Sequence, residues 1–101
     1  MREDIHILSE EEIQEKLKEL EGWEVRDNKI TKEFKLENFV ASVYFVRRLT
    51  PFFEKNNHHP DIHISYSRVR FELQRYDVGG KITDLDFKTA YEIERVYKSF
   101  I

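Results

Sequence analysis

Two stretches of alternating apolar and polar residues, each turning back on itself and each followed by an amphipathic run, constrain this chain more than anything else in it. In the first, Trp23 and Val25 alternate with polar neighbours, and Ile30, Phe34 and Leu36 resume the pattern beyond Asp27-Asn28, a pair that tolerates the positive φ of a tight turn. In the second, Ile62, Ile64 and Tyr66 are answered by Val69, Phe71 and Leu73, with Ser67-Arg68 at the turn. A period of two puts each apolar set on one side of a sheet, and that side has to be covered.

The cover is legible as well. Ser9 followed by Glu12 is a capping box, Leu8 with Ile13 forms a hydrophobic staple, and Ile13, Leu17 and Leu20 fall on one stripe that Gly22 ends. Asn38 caps a second helix, and Thr83 with Asp86 caps a third, where Ile82 staples to Phe87 and Ala90, Ile93, Tyr97 and Phe100 make the buried stripe. Gly79-Gly80 reads as a turn, since no strand-GxxxxGK(S/T)-helix arrangement is present and Lys81 lacks the Ser or Thr of a phosphate loop. The spacing therefore predicts one α+β domain over residues 1–101, ordered αββαββα, with a four-stranded antiparallel sheet and three helices on one face.

The second helix has more apolar surface than one sheet can bury. Phe39, Val43, Val46 and Phe53 form one face, with Phe45, Leu49 and Phe52 about 100° around from them. A subunit partner is expected to cover the spare face, making the protein a homo-oligomer, dimer or tetramer. Pro51 removes the bond its amide would give to Arg47, so a kink or an early break is expected there.

Composition narrows the function classes. The chain has no cysteine, which excludes disulfides and thiolate metal sites and suits a reducing compartment, with cytosol the default. Met1-Arg2-Glu3-Asp4 leads into no signal-like run, and nothing approaches the roughly 20 apolar residues of a membrane span, so no membrane partner is expected. With 17 Lys and Arg against 20 Asp and Glu, the net charge of -3 argues against direct nucleic-acid binding.

Glu54-Lys55-Asn56-Asn57-His58-His59-Pro60 is the densest group of proton-handling side chains in the sequence. Pro60 forces His59 out of the helical region, and Asn56 and Asn57 tolerate the left-handed residue that ends a helix. Two imidazoles beside a carboxylate one turn back could donate one proton and accept another near neutral pH. A C-cap explains the same histidines equally well, because imidazoles near a helix end favour its dipole. A metal is a third reading, weakened because Pro60 breaks the alignment of His59 with His63. His63 and His6 read as solvated residues, and Asp86 as a helix cap first of all.

The spacing Glu54-Lys-x-x-His58-His59-Pro60, then Tyr66-x-x-Val69, Leu73, Asp77-x-Gly79-Gly80, Thr83-x-x-Asp86-Phe87 and Ala90, resembles the pterin-4a-carbinolamine dehydratase family over nearly the whole chain. The resemblance implies the same αββαββα fold. It also implies removal of water from a small-molecule pterin, a 4a-hydroxytetrahydropterin, to give the quinonoid dihydropterin in the recycling of a hydroxylase cofactor, with no cofactor of its own consumed. By carry-over His58 and His59 are the catalytic pair, while Glu54, Pro60 and Asp86 belong to the substrate site. Where active members usually show Thr-His-Asp, this chain has Arg75-Tyr76-Asp77, and one extra residue separates Gly80 from Thr83. Tyr76 is then expected to line the pocket as a hydrogen-bond donor or stacking surface, because a phenol of pKa near 10 is a poor base at neutral pH. The competing readings are an impaired member acting as a pterin binder or protein-protein adaptor, and a metal-dependent hydrolase.

Overall fold

The computed structural model describes residues 6–101, and the expectation placed on Met1 to Asp4 lies outside them. Its elements are α1 (Glu10–Leu17), β1 (Glu24–Arg26), β2 (Lys29–Lys35), α2 (Phe39–Lys55), β3 (Asp61–Ser65), β4 (Arg68–Leu73) and α3 (Asp84–Tyr97). One four-stranded antiparallel sheet runs in the order β1-β2-β4-β3, giving the three-helix α+β fold that the spacing predicts.

Register explains the one-sided core. Ile30 pairs with Leu73 and Phe34 with Val69, while Phe71 sits opposite Lys32 and Ile62, so these side chains share a face. Ile30, Phe34, Val69, Phe71 and Leu73 are all buried beneath the helices. The opposite face carries Glu33, Lys35, Arg68, Arg70, Glu72 and His63, charged or ionisable groups that leave it to water. Phe34 is the hub of the core, edge-on to Trp23, Phe45, Phe71 and Tyr97 with ring centroids 4.8 to 6.0 Å away. Truncating such a residue to alanine costs about 3–5 kcal/mol.

Local signals set the boundaries. Ser9 and Glu12 form the capping box, with Ser9 N–H donating to Glu12 Oε1 at 2.8 Å and Glu12 N–H to Ser9 Oγ at 3.1 Å. Asp27 and Asn28 both take positive φ, 53° and 62°, as a two-residue hairpin turn requires. Asn38 accepts from Ala41 N–H at 2.8 Å and starts α2. The regular part of α1 stops at Leu17, earlier than Gly22 suggests. Lys18, Glu19 and Leu20 instead donate to carbonyls three residues back, a tightened tail that still delivers Leu20 to the core.

Three expectations are corrected. The second hairpin turns at Tyr66-Ser67, because Ser65 pairs with Arg68; Tyr66, read as a strand residue, sits at φ 54° and is exposed. α2 runs without a break through Pro51, since Pro51 and Arg47 are both exposed and water can take the carbonyl that the proline leaves unbonded. Phe53 joins Phe45 and Leu49 on the buried face, leaving Phe39, Val40, Val43 and Tyr44 exposed together toward the start of the helix. No helix of the described residues is long and apolar enough to cross a membrane.

Candidate functional site

The end of α2 is what brings the histidines to one place. Asn56 caps the helix and Asn57 takes the left-handed conformation at φ 48°. Asn57 N–H donates to Glu54 O at 3.1 Å and His58 N–H to Phe53 O at 3.0 Å, the paired bonds of a Schellman motif. This tight reversal directs two consecutive side chains differently. His58 turns inward to 4% exposure, and His59 stays out, its side chain 55% exposed.

Each ring meets its own carboxylate. His58 Nε2 lies 2.5 Å from Asp86 Oδ1, and Asp86 is fully buried. The other oxygen of Asp86 accepts from Thr83 N–H at 2.7 Å and from Thr83 Oγ1 at 3.1 Å, so the cap of α3 also fixes the carboxylate that faces His58. His59 Nε2 lies 2.6 Å from Glu54 Oε2 in a solvent-exposed pair. Ionised carboxylates only accept, so a proton on each Nε2 satisfies both contacts.

A cavity of about 350 Å³ is lined by Asn57, His58 and His59 on one side and by Gln74, Arg75, Tyr76 and Asp77 on the other. Of the residues singled out in the sequence, His58, His59 and Tyr76 are brought to this cavity. Glu54 and Asp86 reach it through the imidazoles instead of lining it. Pro60 is also outside the lining, between the end of α2 and the start of β3. His63 and His6 point elsewhere, Nε2 of the one 3.6 Å from Glu72 and of the other 3.1 Å from Glu12. Among the described residues no three His, Asp or Glu side chains converge as a metal-ligand group.

Asn57, Gln74, Arg75 and Asp77 line the cavity without having been marked as part of the site, and Arg75 is the buried one of them. It is 4% exposed, and its Nε and Nη2 donate to the two oxygens of Asp77 at 3.0 and 2.6 Å. Among the described residues Nη1, which is buried, has no hydrogen-bond partner, a loss of about 1–3 kcal/mol for an unmet donor. A larger cavity, about 710 Å³, opens where Gly22 and Lys32 approach α3, but its main polar groups already satisfy one another: Lys32 Nζ lies 2.5 Å from Glu94 and Tyr91 Oη 2.6 Å from Glu19. The smaller cavity is where the proton-handling groups gather.

Residues 6–96 match the family model described as pterin 4 alpha carbinolamine dehydratase. A Sulfolobus acidocaldarius protein named as a candidate pterin-4-alpha-carbinolamine dehydratase is 43% identical over 89 residues, covering 88% of this chain and 97% of that protein. A similarly named Aquifex aeolicus protein is 36% identical over 94 residues, covering 93% and 94%. A solved structure from Brucella melitensis, titled a transcriptional coactivator/pterin dehydratase, superposes with a TM-score of 0.85 at 31% identity, covering 90% of this chain and 98% of that one.

Proposed function

The chain belongs to the pterin 4 alpha carbinolamine dehydratase family, and from that premise we propose that it dehydrates a 4a-hydroxytetrahydropterin to the quinonoid dihydropterin, with His58 and His59 as the acid-base pair. The observation that carries this reading is the meeting of two imidazoles, each backed by its own carboxylate, at one cavity.

The reaction needs two proton transfers and no redox partner. The C4a–O bond breaks as one group protonates the departing hydroxyl to water, and the other takes the proton from N5, whose electron pair closes the new double bond to C4a. Such assistance is worth roughly 10²- to 10⁴-fold in rate. The two dyads differ in a useful way. Asp86 is fixed by Thr83 and buried with His58, which holds that ring in one orientation and one tautomer. Glu54 and His59 are exposed, so that ring can exchange its proton with water between turnovers. Tyr76 supplies a phenol at the cavity as a donor or a stacking surface. The product rejoins the tetrahydropterin pool of a hydroxylase after a separate two-electron reduction by another enzyme, and the setting is cytoplasmic.

The exposed stripe Phe39, Val40, Val43 and Tyr44 supports self-association through α2, as a dimer or tetramer. A second reading is favoured by Arg75-Tyr76-Asp77 itself: a member without turnover that binds pterin or serves as a protein-protein adaptor. One pair of measurements separates the readings, a dehydration assay and a pterin titration on the same preparation. The dehydratase shows both rate and binding, an inactive pterin binder shows binding alone, and an adaptor shows neither.

A further inference from the structure

Arg75 stands in the cavity wall as a buried cation, and burying a guanidinium is costly unless its donors are met. Asp77 meets two of its nitrogens in a planar two-point contact, while Nη1 has no partner among the described residues. An apolar side chain of similar volume would fill the same space and strand no donor, so packing does not account for an arginine here. What the pair does achieve is closure of a small loop. Arg75 N–H donates to Lys81 O at 2.9 Å, Gly80 N–H donates to Arg75 O at 2.7 Å, and Gly79 and Gly80 turn the chain at φ 79° and 70°. Tyr76 sits between the two members of the ion pair and is 78% exposed, so the loop sets the backbone from which the phenol is presented.

We propose that Arg75 is a positioning residue that acts through Tyr76: its clamp on Asp77 fixes the turn, and so the backbone from which Tyr76 offers its phenol to the His58–His59 cavity, so that the site selects flat heteroaromatic ligands. The inference rests on the dehydratase reading and narrows it to how the ligand is chosen. A turn fixed before binding has no backbone freedom to lose when a ligand ring stacks on the phenol, and affinity gained that way appears in KM more than in kcat.

The test is a double-mutant cycle on the full chain, with Arg75→Gln, Tyr76→Ala and the pair combined. It reads KM and kcat for dehydration of 4a-hydroxytetrahydropterin, and Kd for 7,8-dihydropterin by fluorescence titration. Either single substitution raises KM and Kd about tenfold with kcat nearly unchanged, and the double variant is no worse than Tyr76→Ala, as coupled neighbours require. Asp77→Asn breaks the same clamp from its exposed end and gives the same result where Arg75→Gln fails to fold. Additive losses, or a fall in kcat at constant KM, overturn the clamp while the dehydratase reading stands. A wild type that binds dihydropterin without turning over removes the dehydratase reading alone, and the Kd cycle then decides the clamp. A wild type with neither binding nor turnover overturns both.

Discussion

His58 Nε2 and Asp86 Oδ1 lie 2.5 Å apart in the protein interior, joining the residue just past the end of α2 to the capping-box carboxylate in the first turn of α3. One carboxylate thus serves a helix start and an imidazole at once. Substituting Asp86→Asn should remove the counter-charge while keeping an oxygen for Thr83. We expect the dehydration rate to fall by roughly 10²- to 10⁴-fold and stability by about 1–3 kcal/mol, read from kcat and from urea unfolding. Glu54→Gln tests the exposed dyad and should lower the rate with stability held within about 0.5 kcal/mol; an equal stability loss at both positions would mean that the two dyads are not different in kind.

Gly22→Ala should destabilise through backbone and contact together. Its φ is 89°, and an added Cβ would come 2.9 Å from Lys32 Cε. That side chain cannot give way freely, because Lys32 Nζ donates to Glu21 O at 2.9 Å and lies 2.5 Å from Glu94. A drop of at least about 1 kcal/mol is expected, and an unchanged denaturation midpoint would show that the turn relaxes around the methyl group.

Acid should weaken the fold through the polar face of the sheet. Burial pushes the Glu72 carboxyl up, but Lys29, His63 and Arg70 outweigh it and hold the group below its ordinary 4.5. Glu92 is drawn below the same value by its hydrogen bond from Arg95. For a depressed carboxylate the unfolded chain binds protons first, so its contribution is whole above pH 4.5 and is lost as pH falls through the folded value. Thermal melts should therefore drop below about pH 4.5. Glu72→Gln should flatten part of that slope, and a parallel curve would remove Glu72 from the account.

Val40 is exposed at the centre of the apolar stripe on α2. Val40→Asp should shift the protein to a smaller species in sedimentation without loss of helical signal, since the residue does not touch the core. A wild type that sediments as a monomer at every concentration would show that the stripe stays open.

Much of this was legible because the signals are local. Ser9 with Glu12 and Asp27 with Asn28 need only neighbouring backbone to act, and each stands where its chemistry places it. Alternation misread Tyr66, since a period of two continues into a turn residue as readily as a strand residue. Helical periodicity misassigned Phe53 because two apolar stripes overlap on α2, and only the packed sheet chooses between them. That His58 and His59 can point in different directions follows from the break before Pro60, but which of them turns inward was beyond reach, because adjacent residues of one type are separated only by the direction of the Asn57 reversal. Arg75 stood out only as part of Arg75-Tyr76-Asp77, and its burial gave no signal, because a charged residue at a strand end is ordinarily solvated.

The most direct test is the stopped-flow rate of 4a-hydroxytetrahydropterin dehydration for wild type beside His58→Ala, His59→Ala and Tyr76→His. The wild type should exceed the buffer rate, each alanine variant should lose roughly 10²-fold or more, and Tyr76→His should match or exceed the parent. A wild type no faster than buffer, or alanine variants that keep the full rate, would contradict a two-imidazole site.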